Sequence, residues 1–598
     1  ERPVSTVHEY EAPSELTRVK MATGEELTAT ADHPFFVLDD GERAEREAAS
    51  LDAGDWVYVP REVPTKAADG AGAVAADLDS DSVPGDEADG VSPAMASVLG
   101  YLSGDGNVYY NREEGSYGVR FVNSDEDLLD DFERAARDAF DATPTRPPSE
   151  QRGGVETVRV HGKDDADAVL SAGMNLGRYD EKCFPTAVST GSRAAKAAFV
   201  RALADSEGNV DTATGNVRIT SASRDLLCGT KNLLLQFGVS SQLQHRERDG
   251  KRDVYLLTIT DADSLVAFQR FVGFTATRKA EALERVVESA DGDRTILDVV
   301  PVIDDTLAEL RESLRLHQSE CGIESVTYCN FENGDANVSL HRAQRILDAF
   351  ERRRETAAED RSAFESTTPE WKTLSALKER YHVSQSELAD GTELSQQQIS
   401  RGWGSDDSVR QTVTDRLREI VAGIAETDLG DLREFVQGDV KWRRVESIET
   451  VDPESTEHRD RVLRERLADV LGGDAETAEE RARDVLDREP AEASTWDELE
   501  AHGVSQSAVA TRIGVDQATV SRWLSGTVET DRFDDARDAA LTEIDAVRGE
   551  LRSLLDRIED GQTPKVYDLT VEGTHNFVAN GLITHNSSDR SAMHEGLE

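Results

Sequence analysis

Apolar and polar positions alternate in short runs along the first sixty residues: V-H-E-Y from Val7, L-T-R-V-K-M from Leu16, E-L-T-A-T-A-D-H-P-F-F-V-L from Glu26 and G-D-W-V-Y-V-P from Gly54. A period of two is that of half-buried strands, and Thr23-Gly24 supplies a turn between two of them. Lys66 to Pro93 has no period and is rich in Ala, Asp, Gly and Ser, as an acidic linker is. After it the pattern becomes helical and repeats. M-A-S-V-L-G-Y-L-S-G-D-G-N-V from Met95 and F-V-R-A-L-A-D-S-E-G-N-V from Phe199 are two versions of one helix. Each is followed by similar text, Y-G-V-R-F-V-N-S-D-E-D-L-L from Tyr117 and G-N-V-R-I-T-S-A-S-R-D-L-L from Gly215. Gly100 and Gly104, and Ala202 and Ser206, lie four apart on one helical face, so the two helices can pack with backbones nearly touching.

Beyond about Leu297 the chain is helical, and V-S-Q-S-E-L-A-D-G-T-E-L-S-Q-Q-Q-I-S-R-G-W from Val383 is echoed by V-S-Q-S-A-V-A-T-R-I-G-V-D-Q-A-T-V-S-R-W from Val504. Helix, glycine-containing turn and second helix form a helix-turn-helix. A third, degraded copy is expected to end at C-G-I-E-S-V-T-Y-C-N-F-E-N-G from Cys321. Strand period returns in K-W-R-R-V-E-S-I-E-T-V from Lys441 and in Val566–Val571. Phe577, Val578, Leu582 and Ile583 then predict one further buried strand, which delivers His585, Asn586 and Ser587 side by side.

Two groups of residues carry chemistry. At the C-terminal end, the Asn586 carboxamide can close on its own carbonyl to a succinimide if the leaving nitrogen receives a proton. An adjacent imidazole such as His585 can supply it, for ~10²–10⁴-fold in rate, and Ser587 offers a hydroxyl that can hold an acyl group. At the helix ends, Asp105-Gly106 and Glu207-Gly208 put a carboxylate where the helix dipole disfavours it. Either alone reads as a solvated, glycine-capped helix end, but two of them brought together call for a cation. Mg²⁺ takes such hard oxygen ligands and suits in-line phosphodiester displacement.

The full run Y-D-L-T-V-E-G-T-H-N-F-V-A-N-G-L-I-T-H-N-S resembles the C-terminal splicing motifs of an intein, and T-A-D-H at Thr30–His33 resembles the intein T-x-x-H motif. The resemblance implies that Asn586 cyclises with help from His585 and His575. It implies further that Ser587 opens the C-extein, that Thr30 and His33 polarise the N-terminal scissile amide, and that Asp568 serves the N-terminal steps. No cofactor is implied for splicing. The duplicated helices resemble the LAGLIDADG homing endonuclease motif, inserted between intein halves. That resemblance implies Asp105 and Glu207 as metal-binding catalytic acids, although Glu in the second copy departs from the pattern. Lys182, in K-C-F-P, matches the family's lysine and reads equally well as a surface lysine; Lys279 is a weaker counterpart. Gln396, Gln397, Gln398 and Arg401 in one helix-turn-helix, and Gln517, Thr519, Ser521 and Arg522 in the other, are side chains that reach base edges or phosphates. Such helix pairs also occur as mere packing units, and their acidic surroundings oppose tight binding at low salt.

The expected architecture is multidomain: an all-β self-processing (HINT) domain split by an α/β LAGLIDADG endonuclease and by helix-turn-helix modules. Its segments are 1–65 for the first part of the splicing domain, 66–93 linker, 94–296 endonuclease, 297–438 helical with helix-turn-helix, and 439–452 a returning strand. There follow 453–562 as a second helix-turn-helix insert, 563–586 with the C-terminal splicing motifs and 587–598 as C-extein. A length of 598 residues accommodates about four domains. The charge of -52, with Asp+Glu 119 against Lys+Arg 67, is spread over periodic segments and points to a salt-loving host, a haloarchaeon. The four cysteines form no C-x-x-C pair and suggest neither a zinc site nor a disulfide framework, in keeping with a reducing cytoplasm. No apolar run is long enough to span a membrane.

The chain opens on Glu1, with Thr30 close behind, so the first intein residues and their nucleophile are expected to be missing and full splicing to fail. S-S-D-R-S-A-M-H-E-G-L-E after Asn586 resembles the segment following the Walker B motif of MCM helicases, an ATP-dependent host. The expected partners are the host's N- and C-exteins and double-stranded DNA at the insertion site, cut by the endonuclease as a monomer. A rival reading is a DNA-binding helix-turn-helix protein whose endonuclease and splicing parts have decayed.

Overall fold

The structure is a computed structural model that describes residues 4–39, 41–63, 90–111, 116–147, 155–176, 182–248, 253–290, 292–293, 297–362, 364 and 369–453. It also describes 463–488 except 465, 469 and 472–474, then 502–524 except 503, 505, 514 and 516, and finally 533–561, 564–571 and 576–585.

The alternating N-terminal runs form β1 (Val4–Glu11), β2 (Leu16–Met21), β3 (Glu26–Ala29), β4 (Pro34–Asp39), β5 (Glu42–Glu47) and β6 (Trp56–Pro60). The first motif helix, α1 (Pro93–Ser103), starts where Ser92 Oγ accepts from the Met95 amide and a proline occupies the first turn. It leads into β7 (Gly106–Asn111), β8 (Ser116–Asn123), α2 (Glu126–Phe140), β9 (Glu156–His161) and α3 (Lys163–Ser171). The repeat begins at a second serine cap, Ser192, with α4 (Arg193–Glu207). It continues as β10 (Gly208–Asp211), β11 (Asn216–Ser221), α5 (Arg224–Leu235), β12 (Gln242–Arg246), β13 (Val254–Ile259), α6 (Ala262–Phe271) and α7 (Thr277–Ser289). Each half has its own antiparallel sheet, β7-β8-β9 and β10-β11-β13-β12. One apolar core, from Leu99 and Phe132 to Phe199, Leu234 and Phe268, runs through both halves.

A helical layer follows. A short ribbon pairs β14 (Val299–Val300) with β15 (Val338–Ser339). Around it lie α8 (Asp304–Ser313), α9 (Ser325–Glu332), α10 (Leu340–Ser362), α11 (Trp371–Arg380), α12 (Gln385–Ala389), α13 (Gln396–Gly402), α14 (Asp407–Ala425) and α15 (Gly430–Gln437). α9 lies within the third, degraded copy, and α12–α13 form the helix pair expected from Val383. The core of this layer includes Leu38 of β4 and Trp442, so the helices are seated on the N-terminal sheet.

The strand expected from Lys441 is β16 (Val440–Val451). Its first half pairs with β6 and its second with β2, the change falling at an irregularity between Val445 and Ser447. Later helices cover Ala478–Asp487, Gln506–Ile513, Gln517–Leu524 and Phe533–Gly561. The chain closes with β17 (Lys565–Val571), β18 (Asn576–Ala579) and β19 (Leu582–His585). Here the single strand expected over Phe577–Ile583 is replaced by a hairpin. Asn580 and Gly581 both have positive φ, 49° and 80°, as a two-residue turn between twisted strands requires.

The result is an eight-stranded antiparallel sheet in the order β18-β19-β4-β6-β16-β2-β3, with β5 also on β4. Its strands come from three distant parts of the sequence, and β1 pairs with β17 in a separate ribbon. The duplicated module docks on the β2–β3 turn, where Leu243 N donates to Thr23 O at 3.0 Å and Lys231 meets Glu25 at 3.1 Å. Burial alone would raise the Glu25 pKa, but Lys231 and Arg443 outweigh it and bring the carboxyl down to about 2. Among the described residues no helix is long and apolar enough to cross a membrane.

Candidate functional site

Helices α1 and α4 lie side by side because α1 presents bare backbone. A Cβ on Gly100 would run into the Phe199 carbonyl oxygen and lie 2.8 Å from Ala202 Cβ, and one on Gly104 would run into Ser206 Cβ. The packing predicted from the small-residue spacing is therefore present. Both acids were expected in the last helical turn. Glu207 is the last residue of α4, whereas α1 stops at Ser103 with Gly104 as its cap, leaving Asp105 just outside the helix.

The two carboxylates face one another closely enough to interact. Burial first, and then the charge of Asp105, push Glu207 up to about 7, against the pull of Lys182 and Lys279. Asp105 is raised as well, by loss of water around the carboxylate, and opposed by the same two lysines and by Asn123, whose Nδ2 donates to it at 2.9 Å.

Lys182 lies at this site and not on open surface. Its Nζ donates to the carbonyl oxygens of Leu102 at 3.0 Å, Gly106 at 3.3 Å and Gly104, which closes the end of α1. Lys279, weighed as a weaker counterpart, does the same for α4, donating to Ala204 O at 3.2 Å and Asp205 O at 2.5 Å. Burial lowers the pKa of both; Glu207 and Asp105 oppose this at Lys182, and chiefly Asp205 at Lys279. The equivalence escaped the sequence because K-C-F-P around Lys182 has no echo in T-R-K-A around Lys279.

Asp205 was also missed. It is buried, accepts from the Thr275 and Ala276 amides at 2.7 and 3.2 Å, and is pushed up to about 6 by burial against those hydrogen bonds and Lys279. It fixes the segment entering α7, which carries Lys279. The only signal was an acid at the position where the first copy has Ser103.

A cavity of about 660 Å³ opens beside Asp105, with Asn123, Asp125, Asp205, Arg278 and Lys279 also in its wall. Two carboxylates raised by burial, Glu207 also by the charge of Asp105, suit a hard divalent cation such as Mg²⁺.

In the sheet, β19 lies against β4 through Thr584 and Phe35, and the ring centres of His585 and Phe36 are 5.6 Å apart. Thr30 and His33 form the turn entering β4, with the His33 amide donating to Thr30 O at 3.1 Å. His33 meets Phe35 edge-on at 5.8 Å. The two motifs from opposite ends of the chain thus share one strand pair. Asp568 is buried on β17 and faces His8 of β1. His575, Asn586 and Ser587 lie outside the described residues, as does Gly514 of the second helix-turn-helix.

Gln396, Gln397 and Arg401 stand exposed on α13, while Gln398 is taken up in a capping box with Ser395. On the Gln517–Leu524 helix, Gln517 and Arg522 are exposed and Thr519 and Ser521 half-buried. Arg522 Nη2 donates to Thr519 Oγ1 at 3.0 Å.

Paired acid-ended helices, each leading into an antiparallel sheet, define a duplicated α/β module. A family model described as LAGLIDADG-like domain matches residues 92–172 and 194–273, so this part of the chain is a duplicated LAGLIDADG-like domain. A helix-turn-helix model matches residues 497–531. The replication factor C small subunit of Methanocaldococcus jannaschii is 23% identical over 50% of this chain and 15% of its own length. Elongation factor 2 of Methanopyrus kandleri is 31% identical over 26% of this chain and 11% of its own. Protein RecA of Mycobacterium bovis is 27% identical over 46% of this chain and 34% of its own. The chain therefore spans only a minor part of these relatives. Among solved structures, the homing endonuclease I-DmoI with DNA and Ca is 20% identical, covers 32% of this chain and 97% of that one, and has a TM-score of 0.26.

Proposed function

We propose that the chain is an intein carrying a LAGLIDADG homing endonuclease, inserted in the MCM helicase of a haloarchaeon. The observation that carries this reading is the strand pair β4–β19, which sets the Thr30–His33 turn and His585 in one sheet around an inserted nuclease-like module. The relatives support it. A replication factor C small subunit, an elongation factor 2 and a protein RecA share no name, and each resembles this chain over a minor part of its length, as hosts of one mobile insert would.

In this reading residues 1–65, 439–452 and 563–586 build the self-processing domain. The Asn586 side-chain nitrogen attacks its own carbonyl carbon and a succinimide forms. The bond to Ser587 breaks, and His585, aided by His575, delivers the proton to the departing amine. Thr30, His33 and Asp568 serve the N-terminal acyl shift. Residues 587–598 are C-extein, an assignment that rests on their sequence alone.

Residues 94–296 are the nuclease. Asp105 and Glu207 hold a divalent metal, which when bound stabilises the charge of a phosphodiester undergoing displacement. Lys182 and Lys279 tie off the helix ends and hold positive charge beside both acids. The helix-turn-helix segments, through Gln396, Gln397, Arg401, Gln517, Thr519, Ser521 and Arg522, bind the DNA flanking the cut. The partners are then that DNA and the host's exteins.

The test separates the two activities. The chain is incubated with Mg²⁺ and DNA carrying the uninterrupted insertion site, and the loss of its C-terminal tail is followed by mass spectrometry. Asp105→Asn should abolish DNA cleavage and leave tail release intact, and Asn586→Ala should do the reverse. Cleavage that survives Asp105→Asn, or release that survives Asn586→Ala, overturns the corresponding half.

A further inference from the structure

Outside both sites, the helical layer brings together three metal-ligating side chains from distant positions. His317 precedes the 3-10 turn Gln318–Glu320 that joins α8 to α9, and His382 follows α11. Their ring centres are 3.9 Å apart, inclined at 47°. Glu320 Oε2 accepts from His382 Nε2 at 2.8 Å and from the His317 amide at 2.8 Å. One donor atom from each of the three lies within 4.8 Å of the other two, and all three side chains are open to solvent.

We propose that His317, Glu320 and His382 form a binding site for a borderline transition-metal dication of the zinc class. Two imidazole nitrogens and one carboxylate oxygen are a zinc donor set, leaving a fourth position for water. Metal–ligand bonds of ~2.0–2.2 Å put neighbouring donors ~3.3–3.5 Å apart, so the cluster needs to close by little more than ~1 Å. A plain surface His–Glu pair accounts for the His382–Glu320 hydrogen bond. His317 is the N-cap of the Gln318–Glu320 turn, in a capping box with Glu320, and that cap sets a second imidazole against the first.

The surrounding charges are compatible. Glu320 Oε2 already accepts from two N–H groups, those of the His317 amide and the His382 ring, and so presents an acceptor oxygen at the cluster. Arg353 spends its donors on the Leu314 and Arg315 carbonyls at 3.0 and 2.8 Å. Arg315 turns to the Tyr381 carbonyl at 3.1 Å and to Glu387. Cys321 donates its thiol to the His317 carbonyl and is occupied there. An ion at this place would tie the α8–α9 turn to the end of α11, and so brace the helix pair α12–α13.

The experiment uses the full chain carrying Asp105→Asn and Glu207→Gln to silence the nuclease acids, stripped with chelator and titrated with Co²⁺ in high salt. Visible d–d absorption should saturate at one Co²⁺ per chain, be displaced by Zn²⁺, and accompany a rise in melting temperature. His317→Gln and His382→Asn should each weaken binding by at least ~10-fold, the scale on which even outer-shell partners act. Asn tolerates the left-handed backbone of His382, whose φ is 52°, so this variant should melt like the parent without metal. His341→Gln, which alters a histidine paired with Asp263, should change nothing. Absence of a saturable Co²⁺ spectrum, or one that survives both variants, overturns the proposal.

Discussion

Taking the pH from about 8 down to about 6 should raise the Mg²⁺ concentration needed for half-maximal DNA cleavage roughly tenfold. Glu207 stands at about 7 instead of 4.5, so its ionised form carries a penalty of ~3 kcal/mol in the metal-free fold. A folded pKa raised above the unfolded one gives stability that is complete below about 4.5 and lost as the pH rises through 7. Metal binding returns that loss because it needs the carboxylate that deprotonation supplies. Below the pKa the metal must displace a proton, and its apparent affinity drops about tenfold per pH unit. Asp105 is raised too, so the measured midpoint belongs to the pair. Mg²⁺ titrations of cleavage across this range, with Ca²⁺ calorimetry as a check free of turnover, give the profile. Lys182→Met removes a charge that holds Glu207 down and should move the midpoint to higher pH. A half-maximal Mg²⁺ that changes less than about twofold, or an unmoved midpoint in Lys182→Met, refutes the reasoning.

Gly100→Ala should destabilise the LAGLIDADG-like domain by ~1–3 kcal/mol or more, since the added methyl meets the Phe199 carbonyl; unchanged urea unfolding would contradict the packing. Glu25→Gln leaves Lys231 charged and buried at the module's dock and should cost ~3–5 kcal/mol, read as a fall in melting temperature. Because Glu25 is held at about 2, its contribution is present above 4.5 and lost as the pH falls toward 2, so the variant's stability should be flatter over that window. Gly581→Ala, at φ 80°, should destabilise the terminal hairpin by ~1 kcal/mol and slow release of the tail, which mass spectrometry would detect.

What the sequence made legible was local or repeated. The duplicated small-residue helices, with Asp105 and Glu207 at their ends, announce themselves by period and by echo, and the α1–α4 packing follows from the spacing of Gly100 and Gly104. The C-terminal hairpin was misread as one strand although Asn580-Gly581 is a turn signal, because the apolar residues on both sides of it read as one continuous buried run. Lys279, Asp205 and the cluster of His317, Glu320 and His382 depend on how separate segments cross in space, and no spacing along the chain encodes that.

The middle position of β16 in the large sheet also sets an order of events during synthesis. β6 ends at residue 60, and its second neighbour, β16, does not begin until residue 440. At ~5–20 residues per second the ribosome leaves the N-terminal strands without that neighbour for roughly 20–75 s, long enough for the intervening module to fold by itself. The hairpin that carries His585 comes later still. Translation therefore acts as a clock, and the large sheet cannot be completed before the helices and strands between β6 and β16 have been made.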